Sequence, residues 1–335
     1  PYIDQVAIQI VDKNLISAKT SAGETDLQGR YIYLTDYTFL KQSEDRADYK
    51  VYLWGKGTGS QTAIFPNLNS NDRVWQKLVR DARFRRALSL GINRYEINQV
   101  IYFGLARESN NTVLPASPLY RERYQTAWAR YDIEQANQLL DEMGLDKRDD
   151  RGLRLMPDGR PLKVILHTAG ESTEETDVLE LIGDSWLKLG IKLYVSPSQR
   201  EVFRQRIFTG SSMISMFSGI DNGLPTADMN PKEFIPVQQN QLQWPKWGQY
   251  YETNGELGEA PALPAAQKLV KLYANWQRST NLEDKTRIWE EILQIQADQV
   301  FSIGLINSVP QPIVISNRLK GAPEEGIYSW SPTSY

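Results

Sequence analysis

Along Val74 to Leu90 the apolar residues Leu78, Val79, Ala82, Ala87, Leu88 and Leu90 recur at helical spacing, which predicts a helix. Arg80, Arg83, Arg85 and Arg86 fall largely off that stripe, on what reads as a solvated face. Asn93-Arg-Tyr-Glu96 is a capping-box pattern, opening a helix to about Phe103 with Gly104 free to take the left-handed stop. Asp132-Ile-Glu-Gln135 repeats the device, with Ala136, Leu139, Leu140 and Met143 on one face and Gly144 at the end. A charged hairpin-like excursion follows from Asp146 to Pro161. The pattern then alternates. Leu162 to Thr168 reads as a strand, Glu174 to Leu189 as a helix and Ile191 to Val195 as a strand. Ser198 caps a helix to about Phe208, and Ser212 to Phe217 is a third strand. Short connections between such elements imply parallel pairing with right-handed crossovers. The fold class is therefore α/β, built on a β-α-β-α-β parallel core. Two amphipathic helices, Pro264 to Gln277 and Asn281 to Gln299, precede strand-like runs at Val300 to Ile306 and Pro312 to Ser316. Before residue 65 only short strand-like runs appear: Val6 to Val11, Tyr31 to Leu34 and Tyr49 to Trp54.

In open α/β sheets, ligands bind beyond the carboxyl ends of the strands. Those ends here are Thr168 to Ser172, Ser196 to Ser198 and Phe217 to Asp228. The third opens a long irregular loop to Pro231, rich in Gly, Asp, Asn and Pro, and loops of that kind often carry function. It makes Ser218, Gly219, Asp221, Asn222 and Asp228 candidate ligand-binding residues. Trp244 to Tyr251 gathers two tryptophans and two tyrosines in what reads as a loop. Trp244 and Trp247 there are either ordinary core or an aromatic wall against a ligand.

Composition narrows the chemistry. The 335 residues are 41% hydrophobic and 24% charged, with a net charge of −3, which argues against a nucleic-acid partner held through phosphates. There is no cysteine, so disulfides and thiolate chemistry are excluded. The single histidine, His167, lies in an apolar strand, so a histidine-rich metal site is excluded and a core or strand-end role is expected. Neither a phosphate-binding loop nor a dinucleotide-binding glycine motif is present, so no cofactor is expected. No apolar run reaches the ~18 residues a membrane helix needs.

The order of motifs resembles family 5 bacterial solute-binding proteins, the oligopeptide- and dipeptide-binding proteins of ABC importers. Pro1 to Leu27 (PYIDQVAIQIVDKNLISAKTSAGETDL) is similar to the family's passage beginning Pro-Tyr and ending Ala-Gly-Glu-x-Asp. Asp81 to Arg94 (DARFRRALSLGINR) resembles its arginine-bearing helix, followed as in the family by Glu96-Ile97 and Val100 to Ala106. Leu114 to Pro118 resembles its proline-rich stretch, and Phe217 to Pro231 its ligand-contacting strand end. The resemblance implies a type II periplasmic-binding-protein fold of two lobes and a cleft. It implies that this segment is a C-terminal portion, with signal peptide and N-terminal half outside it. Residues 1–65 would be a first-lobe remnant and hinge strands, 66–308 the second, ligand-binding lobe, and 309–335 the return to the first lobe. The arginines of Arg83 to Gly104 would be surface. The family's anchoring aspartate, which pairs with a ligand amino group, matches Asp228 by its neighbours and Asp221 by its distance from the strand end. The family's preceding arginine would be Arg206 or Arg204.

The function implied is solute capture for an ABC importer in the bacterial periplasm. A peptide or oligosaccharide would sit in the interlobe cleft and pass to an inner-membrane permease. No catalytic residue and no metal is implied. Two other readings are a glycoside hydrolase using a carboxylate pair such as Asp221 and Asp228, and a chemosensory or partner-binding module.

Overall fold

The computed structural model describes residues 3–170 and 173–329. Glu171 and Ser172, expected at the end of the first parallel strand, lie outside the described residues. The strands are β1 (Leu27–Gln28), β2 (Tyr49–Lys56), β3 (Ala63–Pro66), β4 (Arg107–Glu108), β5 (Lys163–Thr168), β6 (Lys192–Pro197), β7 (Ile214–Phe217), β8 (Ile303–Gly304), β9 (Ile306–Asn307), β10 (Gln311–Ser316) and β11 (Ile327–Tyr328). They divide between two compact units, one of residues up to Gly57 and from Val309 on, the other of Thr58–Ser308.

The first unit holds a sheet in the order β1-β10-β2-β11. β10 runs antiparallel to β2, with Val314 opposite Val51. Val314 and Val51 pack with Ile32, Leu40 and Tyr49 into a small core, and the Tyr49 hydroxyl donates to the Leu40 carbonyl at 2.6 Å. Two expected strands are absent here. Among the described residues, 6–11 pair with no strand. Around Leu34 the chain turns into a 3-10 helix, Leu34–Asp36, because the Asp36 carboxylate accepts from the Tyr33 N–H at 2.8 Å and draws the chain round.

The second unit carries the expected parallel core. β5 pairs in parallel with β6 and with β7. β3 then adds antiparallel to β7, and β8 antiparallel to β3, giving the order β6-β5-β7-β3-β8. β3 thus belongs to this unit, and the division falls after Gly57 rather than after residue 65. Helices Thr173–Leu187 and Arg200–Phe208 are the crossovers. Buried Trp75, Trp186 and Trp289 anchor the surrounding helices.

The single helix expected over Val74 to Leu90 is two, Arg73–Arg80 and Ala82–Leu90. Asp81 between them has extended backbone, and its carboxylate accepts from the Arg83 N–H at 2.9 Å, starting a new helix. Of the arginines expected at the surface, Arg83 stays there, its side chain 43% exposed, but Arg85 and Arg94 do not. Arg85 is 0% and Arg94 1% exposed. Arg94 donates to the carbonyls of Gly304, Ser89 and Ala129, each at 2.9 Å, and to the Ser89 hydroxyl at 2.8 Å. Arg85 donates to the carbonyls of Val79 and Gln299 and lies over the Phe301 ring. A guanidinium has five donors and no acceptor, so carbonyls that end helices and loops suit it. Burial lowers both to about 9, which leaves them charged at neutral pH.

Candidate functional site

Because β5, β6 and β7 are parallel, their carboxyl ends share one edge of the sheet. The chain is tied down there by short polar contacts. Beyond β5, the Gly170 N–H donates to the Thr168 hydroxyl at 3.2 Å, and the Ser198 N–H beyond β6 donates to the Thr168 carbonyl at 3.1 Å. Beyond β7, the Gly219 N–H donates to the Ser60 carbonyl at 3.0 Å, and the Ile220 N–H to Asn111 Oδ1 at 2.9 Å. Gly219 is required by proximity. A Cβ there would stand 2.7 Å from the Cβ and the backbone nitrogen of Ser60 and would collide with the Asn111 amide oxygen. Ser218 is half-buried beside it.

The loop then separates the two candidate aspartates. The Asp221 N–H donates to Glu233 Oε2 at 2.7 Å, leaving the Asp221 side chain exposed. Although that side chain reaches water, the protein packed around it removes part of its hydration, which raises its pKa. Glu233 is pushed up to about 7, first by burial and then by the charge of Asp221. Asp228 is held differently. Its Oδ1 accepts from the Thr226 hydroxyl at 2.6 Å, and that bond keeps its pKa low. The intervening Asn222 accepts from the Leu224 N–H at 2.9 Å and fixes a turn. So Asp228 and Asn222 are engaged in local turn bonds, whereas the Asp221 carboxylate is in no ion pair among the described residues.

The remaining candidates lie elsewhere. Arg206, on the helix after β6, points at the sheet: its Nη1 is 3.3 Å from His167 Nδ1 and 3.3 Å from Ser196 Oγ. Burial, and then Arg206, lower the His167 pKa, so the ring stays neutral near pH 7. Arg204 on the same helix is exposed. Trp244 and Trp247 are each 0% exposed, which overturns the aromatic wall. Pro245 starts a helix, Pro245–Glu252, that turns both rings into the core, where Trp244 meets Phe301 edge-on. Pro at the first helical position loses no hydrogen bond, so the Pro-Lys-Trp-Gly stretch opens a helix instead of a loop.

Sequence reading missed three side chains at this edge. Glu233 comes twelve residues after Asp221, in a short 3-10 helix, Lys232–Phe234, with no distinguishing motif. Asn111 belongs to a buried polar run, Ser109 to Thr112, that reads as an ordinary loop. Glu174 follows β5 and accepts from Gln61 Nε2 at 3.0 Å and from the buried Tyr102 hydroxyl at 2.8 Å. Glu174 lies in the first turn of a helix, where acidic residues are common, so nothing in the pattern sets it apart.

Residues 1–234 match the family model described as Bacterial extracellular solute-binding proteins, family 5 Middle. A periplasmic alpha-galactoside-binding protein of Rhizobium meliloti is 21% identical over 255 residues, which is 74% of this chain and 35% of that protein. The solved oligopeptide-binding protein OppA superposes with a TM-score of 0.75 at 28% identity, over 96% of this chain and 53% of its own. MelB of Agrobacterium fabrum, solved with stachyose, also gives 0.75, at 13% identity over 92% of this chain and 47% of its own. The fold is that of the type II periplasmic binding proteins, and the chain spans from about a third to about half the length of these proteins. With the family model matching well over half its residues, the chain belongs to the family 5 bacterial extracellular solute-binding proteins.

Proposed function

We propose that this chain is part of the substrate-binding component of an ABC importer, acting outside the cytoplasmic membrane and delivering its solute to a membrane permease. The Thr58–Ser308 unit acts as the ligand-binding lobe, and the other unit is part of the first lobe and hinge. The solute is an oligopeptide or an oligosaccharide, the classes named for its relatives. The observation that carries the reading is Asp221. Among the described residues it is a carboxylate in no ion pair, beyond the end of β7, on an edge where parallel sheets bind ligands. An unpaired carboxylate with a raised pKa gains most from a ligand that donates hydrogen bonds or carries positive charge. Asp221 is therefore the anchor, with Ser218 and Gly219 beside it, and Asp228 shapes the loop. The work is capture, not bond cleavage. Asp228 is tied into its own turn by the Thr226 hydroxyl.

The test is calorimetric titration of the full-length natural protein with oligopeptides and with galactosides of the raffinose type. With an amine-bearing peptide, Asp221→Asn weakens binding by about 10- to 100-fold, the range for a charge-assisted hydrogen bond. Asp228→Asn leaves it within about threefold. With a neutral galactoside, Asp221→Asn costs less than with the peptide. Equal effects of the two substitutions would remove Asp221 from its role. Binding of neither class would remove the reading.

A further inference from the structure

Away from the candidate ligand edge, one face of the sheet is open at its outer end. β6 is the outermost strand of that sheet, next to β5. The register sets Lys163 beside Lys192, Ile165 beside Tyr194 and His167 beside Ser196, so these six side chains share one face. The opposite face carries Val164, Leu166 and Leu193. The helix Thr173–Leu187 covers it, and a Cβ at Gly183 would stand 3.9 Å from the Leu193 side chain. On the first face Arg206 closes the carboxyl end, its Nη1 3.3 Å from both His167 Nδ1 and Ser196 Oγ. Toward the other end Ile165 and Tyr194 lie side by side, 43% and 46% exposed. The charges on this face are unbalanced. Lys163 and Lys192 are directly opposite one another, and like charges so placed destabilise a sheet. Among the described residues, neither lysine is in an ion pair, and neither is Arg206. Before β5, Arg160 holds both Asp72 and Asp158. In a chain of net charge −3, three uncompensated cations frame two exposed apolar side chains. Local rules are broken in this way at functional sites.

Spacing decides what fits. From the lysine pair to His167 and Ser196, where Arg206 sits, is about 13 Å along the strands, with the apolar pair midway. An extended segment laid along the face matches that order with an acidic, an apolar and an acidic residue at every second position. Strand addition at the edge is disfavoured, because Pro197 has no N–H to donate and Lys192 guards the other end. A bilayer fits less well. Lys163 and Arg206 are half-buried, within reach of a carboxylate side chain but not of a plane of headgroups. We infer that this face of β5 and β6 docks an acidic segment of a partner protein, of the pattern acidic-x-apolar-x-acidic. Its carboxylates meet Lys163 with Lys192 at one end and Arg206 at the other, and its apolar side chain covers Ile165 and Tyr194.

The experiment uses the full-length natural protein. It is titrated with a fluorescent peptide carrying Asp-Ser-Leu-Ser-Asp, with the cationic counterpart Lys-Ser-Leu-Ser-Lys, and with phosphatidylglycerol vesicles. The acidic peptide should bind in preference to the cationic one. Lys163→Glu with Lys192→Glu should weaken the acidic peptide by about 10-fold or more and reverse the preference. Lys192→Gln should weaken it too, yet melt no lower than the natural protein, because it removes a repulsion. A lower melting temperature for Lys192→Gln would give the lysine a structural role and overturn the inference. Equal binding of the two peptides would also overturn it, as would vesicles bound in preference to the acidic peptide. So would self-association that the double variant abolishes, which would make a second copy the occupant. Lys192 resistant to acylation in the full-length protein would show the face already covered. No solute enters these readouts, so failure here is separable from failure of the proposed function.

Discussion

Among single residues, Glu233 carries the clearest consequence. Its pKa of about 7 stands above the ordinary 4.5 because it is largely buried beside Asp221, itself raised by burial. Below pH 4.5 the group is protonated whether the chain is folded or not, and nothing is lost. From 4.5 to about 7 the folded state keeps a proton that the unfolded chain releases, so stability falls as pH rises through that window. Above it the penalty is constant, on the order of 2 kcal/mol after allowing for partial exposure. Asp221, shifted in the same direction, adds to the slope. Glu233→Gln keeps an oxygen to accept from the Asp221 N–H and removes the charge. The variant is expected to match the natural protein at pH 4.5 and to melt higher at pH 8. Melting curves across that range check it, and a wild-type curve flat between pH 5 and 7 would show the pair to be fully solvated.

The elements show what could be read from the chain and what could not. The β-α-β-α-β core was legible because its strands are continuous apolar runs and its helices end in glycine, as at Gly190. Asp132 caps its helix by accepting from the Gln135 N–H at 2.9 Å, as the pattern predicts. Asp81 was not legible as a break, because the apolar stripe continues through it and only the cap betrays the turn. Arg85 and Arg94 were misjudged for a related reason. Burial of a guanidinium depends on carbonyls from Gln299 and Gly304, more than two hundred residues away. In the loop after β7, the position of Asp221 follows from the strand before it, whereas its contact with Glu233 depends on how the loop folds back. The break itself is testable. Asp81→Ala removes the N-cap of Ala82–Leu90 and should destabilise the unit by about 1 kcal/mol. Asp81→Ser, which restores a capping oxygen, should recover most of that. Denaturant midpoints measure both, and an unchanged midpoint for Asp81→Ala would mean that packing alone ends the first helix.

For the whole molecule, the division into two units has a spectroscopic signature. Trp75, Trp186, Trp244, Trp247 and Trp289 are almost wholly buried, and all belong to Thr58–Ser308. Intrinsic fluorescence therefore reports chiefly on the unit that carries Asp221 and Glu233, while far-ultraviolet circular dichroism reports on both. The other unit has its own small core, and Leu40 within it is 0% exposed. Leu40→Ala should cost that core about 2–5 kcal/mol by transfer and cavity formation. Each unit has its own apolar core, which is the condition for separate unfolding. The expected outcome is an early dichroism transition in Leu40→Ala with the fluorescence midpoint unmoved. Glu233→Gln at pH 8 should do the reverse, raising the fluorescence midpoint alone. If Leu40→Ala drags the fluorescence transition down with it, the two units unfold as one cooperative body, and the pH dependence of Glu233 then belongs to the stability of the whole chain.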